Sequence, residues 1–201
     1  MEKSTRELIL DQCFNAVSQK GFIALRTDIE IKKLGVTKGA FYHYFEGKNA
    51  VGLALVNERI KPYYLDLWKD VLHHSDIKAT YFDLLEKEKR RVNAQGVNDI
   101  LCSMAAESDL YDTDMREALA EFTNDFLREI QSAIRSAKTH GKVVQSGDSR
   151  SQSMQLLNGM MSCFLIAKVQ GSTETFASSC KALYTGLEAS FFSDDAAMPF
   201  A

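Results

Sequence analysis

Two prolines in 201 residues leave this chain long stretches that nothing interrupts, and that scarcity constrains the fold more than any other single feature. With glycines as isolated punctuation and no repeat or low-complexity segment, the expectation is an all-α protein. Capping residues supply the helix starts. Ser4 and Glu7 form an S-x-x-E capping box ahead of an apolar face, Ile9, Cys13 and Val17 with Leu10 and Phe14, which ends at Gly21. Thr27 to Glu30 reads as a second capping box, for a short helix to about Leu34 before Gly35. Thr37 reads as the cap of a third, from Lys38 to about Phe45.

Three short helices within 47 residues, with a tight turn between the last two, match a trihelical helix-turn-helix unit. From Lys48 a long helix is expected to about His74, with Val51, Leu55, Ile60, Tyr64, Leu67, Trp68 and Val71 as its stripe and a kink at Pro62. Further helices are expected at about 77–95, 98–110, 113–140, 149–170 and 173–192. This divides the chain into an N-terminal unit of residues 1–47, a larger helical body of residues 48–192, and a tail of residues 193–201 expected to be disordered.

Charge and cysteine usage narrow the function classes. Residues 1–50 hold eight Lys/Arg against six Asp/Glu and the remainder sixteen against twenty-one, so a mildly basic head sits on an acidic body within a net charge of −3. That excludes a protein that coats nucleic acid indiscriminately. Cys13, Cys102, Cys163 and Cys180 are far apart, without a CxxC pair or clustered histidines, so no disulfide framework, metal site or cofactor is expected. There is no apolar leader and no run near the roughly 18 residues a membrane span needs, which points to a cytoplasmic protein with no membrane partner.

Residues 35–48 read Gly-Val-Thr-Lys-Gly-Ala-Phe-Tyr-His-Tyr-Phe-Glu-Gly-Lys. Phe41 and Phe45, four apart, are expected to face inward, with Lys38, Tyr42 and His43 outward. Taken as residue types alone, Tyr42, His43 and Tyr44 equally suit a packed aromatic cluster. The ordered stretch, however, closely resembles the tetracycline-repressor (TetR) family, whose recognition helix and following turn read G-V-[ST]-K-G-x-[FL]-Y-x-[YH]-F-x-x-K. The resemblance implies a repressor that binds double-stranded operator DNA as a homodimer and responds to a small-molecule effector. It assigns DNA contact to Thr27, Thr37, Lys38, Gly39, Tyr42, His43 and Lys48, with Thr37, Tyr42 and Lys48 on phosphate and Gly39 permitting close backbone approach. Glu30 and Ile31 depart from the family's usual I-A before the turn, which bears on the crossing of the two helices.

In the body, Trp68, Phe82, Cys102, Met104, Tyr111, Phe122 and Phe126 are candidate lining for an effector pocket, each of them also an ordinary core residue type. Met154, Leu157, Met161 and Phe164, with Cys180, Leu183 and Leu187, recur at seam spacing and are the candidate dimer interface. Residues 100–107 and 114–116 resemble a TetR branch that contains sensors of reactive electrophiles, so Cys102 is either an inert packed thiol or a sensing one. The competing class is a small helical enzyme with Cys102 as nucleophile and His73, His74 or His140 as base, but no acid/base pair, phosphate loop or ligand set supports it. A third class, an adaptor of the same fold that never touches DNA, is disfavoured by intact Lys38, Tyr42 and Lys48.

Overall fold

The structure, a computed structural model, describes residues 3–144 and 147–192. They form eleven α-helices in chain order: α1 (Thr5–Lys20), α2 (Thr27–Lys33), α3 (Lys38–Tyr44), α4 (Lys48–Leu55), α5 (Lys61–Leu67), α6 (Lys69–His73), α7 (Ile77–Gln95), α8 (Ile100–Ala106), α9 (Thr113–Thr139), α10 (Ser149–Gln170) and α11 (Thr173–Ser190). Among the described residues no strand forms; a lone antiparallel bridge joins Val143 to Phe192. The tail of residues 193–201 lies outside the described residues.

The first helix follows its sequence signal. Ser4 Oγ accepts the Glu7 N–H at 3.3 Å and Glu7 returns a carboxylate oxygen to the Ser4 N–H at 2.8 Å, satisfying two end donors reciprocally. The bond from the Ser4 backbone N–H, and after it one from the Ser4 hydroxyl to the same carboxylate oxygen at 2.9 Å, hold the Glu7 carboxyl below its ordinary range. Ile9, Leu10, Cys13 and Val17 then bury completely.

The second helix corrects the sequence reading. Its cap is Arg26, with no side-chain bond, and Thr27 is its first helical residue rather than half of a capping box. Glu30 is turned inward, where its carboxylate takes the Gln12 amide at 2.7 Å and the Lys33 ammonium at 2.6 Å. Burial works to raise its pKa, but Lys33 and Gln12 outweigh that and the net shift is downward. Turned inward to these two donors, Glu30 does not serve the start of its own helix.

The expected long helix also differs from its reading. Between α4 and α5 the turn Val56–Ile60 is a π turn, in which the Lys61 N–H reaches back to the Val56 carbonyl, and α5 ends at Trp68 before α6. Pro62 has no N–H for the Glu58 carbonyl, and the Arg59 guanidinium occupies that carbonyl instead at 2.9 Å. The disturbance from Pro62 is thus absorbed one turn upstream.

Two compact units emerge. The first comprises Met1–Tyr64 and Asn98–Thr123; the second comprises Leu65–Val97 and the residues from Asn124 onward. The sequence boundary at 47/48 therefore does not coincide with a break in packing, because α4, the π turn and α8 all pack on α1. In the second unit α7 packs on α6 and α11, and α11 on α10.

Candidate nucleic-acid interface

The first unit holds α3 by one side only. Thr37 caps it, its hydroxyl accepting the Ala40 N–H at 3.2 Å, and Phe41 and Phe45 sink into the core with ring centroids 5.8 Å apart. The other side is left to solvent. Thr37, Lys38, Gly39, Tyr42 and His43 are all exposed, Tyr42 to 63%. A packed aromatic cluster is thereby ruled out as the role of Tyr42 and His43.

Gly39 sharpens the point. A glycine inside a helix costs about 1 kcal/mol relative to alanine, yet a Cβ added here would meet nothing closer than the Thr37 hydroxyl at 4.0 Å. No contact among the described residues requires it. Thr27 stands half-exposed at the first turn of α2.

Lys48 is placed differently from the other candidates. Its ammonium donates to the Ile23 carbonyl at 2.8 Å and lies 5.0 Å from the centre of the Phe22 ring, and burial lowers its pKa. It ties the start of α4 to the turn between α1 and α2. The same turn receives Glu107, whose carboxylate accepts the N–H groups of Phe22 at 2.8 Å and Ile23 at 3.1 Å and the Tyr111 hydroxyl at 3.0 Å. Gly21 opens the space: its φ is +82°, and a Cβ there would overlap the Glu107 carboxylate. Asn49 adds a bond to Asp112 at 2.5 Å.

Sequence reasoning missed this knot. Glu107 lies 85 positions from Phe22, and only Gly21 at the end of α1 hinted that something approaches closely. It also missed Tyr44, which is 38% exposed and meets His43 with ring centroids 5.0 Å apart, and Arg26, exposed and paired with Asp28 at 3.3 Å.

The candidate pocket residues are distributed over the two units. Cys102, Met104, Tyr111 and Phe122 fall in the first unit and Trp68, Phe82 and Phe126 in the second. Tyr111 packs edge-on against Phe22 and serves the Glu107 knot; its hydroxyl pKa is raised by burial and by that carboxylate. Phe122 packs on Tyr64, whose hydroxyl donates to Asp99 at 2.6 Å, and Met104 is fully buried. Cys102 is half-buried, its N–H donating to Asp99 at 2.8 Å. Trp68 is core, edge-on to Phe126 at 5.4 Å and tilted against Tyr81 at 5.7 Å. Phe82 does line a groove, shared with α11.

The candidate seam residues differ in exposure. Leu157, Phe164, Cys180 and Leu187 are buried within the chain itself, Phe164 against Phe176 at 4.5 Å. Met154, Met161 and Leu183 are half-buried, Leu183 lying against Gly159. The apolar surface left on α10 is Leu165, Ile166 and Val169, the last 80% exposed. Periodicity found the apolar positions; it could not tell an inward face from an outward one.

Comparison with known proteins agrees with this geometry. Residues 9–55 match the family model described as bacterial regulatory proteins, tetR family. The chain is 24% identical over 178 residues to the HTH-type transcriptional repressor NemR of Escherichia coli K12, covering 86% of this chain and 88% of that protein. It is 27% identical over 141 residues to the HTH-type transcriptional regulator SrpR of Pseudomonas putida, covering 70% and 64%. A crystal structure of a regulatory protein TetR from Rhodobacter sphaeroides superposes with a TM-score of 0.79 at 21% identity, over 93% of this chain and 98% of that one.

Proposed function

The chain belongs to the tetracycline-repressor family of bacterial regulatory proteins, and on that premise we propose that it is a homodimeric repressor of transcription, with α3 in the major groove of operator DNA. The observation that carries the reading is the sidedness of α3. Phe41 and Phe45 anchor one side, while Tyr42, His43 and Lys38 stand in solvent on the other. Large aromatics beside a lysine and a glycine without internal purpose suit a helix that meets phosphate and base edges. Thr37 and Tyr42 contact phosphate; Lys38 and His43 read bases. Lys48 contributes by holding the α1–α2 turn, and its remaining N–H donors are available to phosphate.

The dimer forms through the outward face of α10, where Met154 and Met161 continue into Leu165, Ile166 and Val169. Two heads so joined meet successive major grooves about 34 to 36 Å apart or a small multiple of one helical turn. A small apolar or aromatic effector releases the DNA by favouring a misaligned state by roughly 1 to 3 kcal/mol. Such a regulator acts in the cytoplasm, in keeping with the finding that no helix among the described residues is long and apolar enough to cross a membrane.

The test is fluorescence anisotropy on the DNA upstream of the chain's own coding sequence, between about 50 and 200 mM salt. Affinity is expected to fall steeply with salt, and Tyr42→Phe to weaken binding to all sequences about equally. Lys38→Ala is expected to relax sequence preference. Binding to that DNA no tighter than to a scrambled duplex would overturn the reading.

A further inference from the structure

Helices α7 and α11 pack along one another in the second unit with the chain running in opposite directions. Near one end Lys78 pairs with Glu188 at 3.2 Å, and next to it Phe82 meets Tyr184 with ring centroids 4.8 Å apart. Beyond those rings the two helices carry the short side chains of Ala177, Ser178 and Cys180 opposite Leu85, and a groove of about 480 Å³ opens between them. That volume lies in the range of roughly 300 to 1,000 Å³ usual for small-molecule sites.

The chemistry of the groove is two-sided. Its floor is apolar and aromatic, from Phe82, Leu85, Cys180 and Tyr184, and burial pushes the Tyr184 phenol up to about 12, so it stays a neutral hydroxyl. Its rim carries Glu86, Lys89 and Lys181. Glu86 and Lys89 neutralise each other at 2.6 Å. Among the described residues Lys181 makes no ion pair, so the rim keeps one uncompensated positive charge beside an aromatic floor. The exposed apolar residues of α10 lie elsewhere and contribute nothing to this groove.

We propose that this groove is a binding site for a planar aromatic carboxylate, its rings over Phe82 and Tyr184 and its carboxylate at Lys181. This gives the effector a place and a chemical class. It rests on the regulator reading only for that consequence, because binding is measured without DNA.

The experiment is calorimetric titration of the full chain with 2-naphthoate and with the uncharged 2-naphthylmethanol. One naphthoate per chain is expected, bound at least threefold more tightly than the alcohol, the gain that one half-exposed charge pair provides. Lys181→Glu should weaken naphthoate about tenfold and leave the alcohol within twofold. Ala177→Leu fills the groove and should abolish both, and the exposed Lys181 site provides a variant that folds even if Ala177→Leu does not; circular dichroism checks each. Absence of naphthoate binding, equal binding of acid and alcohol, or indifference to Lys181→Glu overturns the proposal. Those outcomes leave DNA binding untouched, and loss of DNA binding would leave the groove untouched.

Discussion

The recognition segment and the C-terminal helix pair use similar residues to opposite ends. In α3 four aromatic or heteroaromatic residues are contiguous from Phe41 to Tyr44, yet only Phe41 is buried, and the other three face solvent. In α10 and α11 apolar residues recur at steps of three and four, and Leu157, Phe164, Cys180 and Leu187 are consumed by the chain's own core. A short helix anchored on one side exposes what it needs for an external contact. A long helix in a bundle leaves outside only what its neighbours fail to cover, so outward function must be read from exposure rather than from periodicity.

The comparison is tested most severely by two aromatic truncations. Trp68→Ala removes a fully buried ring and should destabilise the fold by about 3 to 5 kcal/mol. Tyr42→Ala should change stability by no more than about 0.5 kcal/mol while lowering DNA affinity. Urea unfolding of both variants decides the matter, and a large loss for Tyr42→Ala would show that α3 uses its outer side for folding.

The knot under the head comes next. Gly21→Ala forces a side chain into a left-handed backbone and into the Glu107 carboxylate, with an expected loss of about 1 to 3 kcal/mol. Glu107→Gln keeps the shape but weakens the bonds to Phe22 and Ile23, and should cost less than Gly21→Ala. If Gly21→Ala melts like the native chain, the close approach is not what fixes this turn.

The two faces of α10 give a contrast in kind. Ile166→Glu should leave each chain folded and shift sedimentation from dimer to monomer. Leu157→Glu places a charge in the core and should unfold the chain itself. A dimer that survives Ile166→Glu moves the interface off the exposed face.

The smallest effect is expected at the capping box. Because the Glu7 carboxyl is held below its unfolded value, its contribution is complete above about pH 4.5 and disappears as pH falls through the lowered folded value. The stability gap between native protein and Ser4→Ala should therefore narrow between neutral pH and pH 3, measured by urea unfolding at each pH. A gap that widens on acidification would contradict the sign.

Most of the helical layout was legible because it rests on local chemistry. Ser4 with Glu7, Thr37, Gly21 and Gly35 mark ends that form as their residue types dictate. The outer face of α3 was legible because a long ordered motif carries it. Thr27 misled because Glu30, the would-be capping partner, has better bonds to Gln12 and Lys33, residues no cap rule considers. The Glu107 knot and the burial of Leu157, Phe164, Cys180 and Leu187 depend on contacts distant in sequence, where local pattern carries no information.

The π turn at Val56–Ile60 also bears on what this segment can lose. Val51, Leu55 and Val56 are buried before its exposed residues and Ile60 and Tyr64 after them, so the wider turn places Asn57 and Glu58 in solvent without breaking the buried face. Deleting the exposed Asn57 would restore an α-helical turn and bring the Pro62 ring against an intact carbonyl. The wide turn and the proline form a compensating pair.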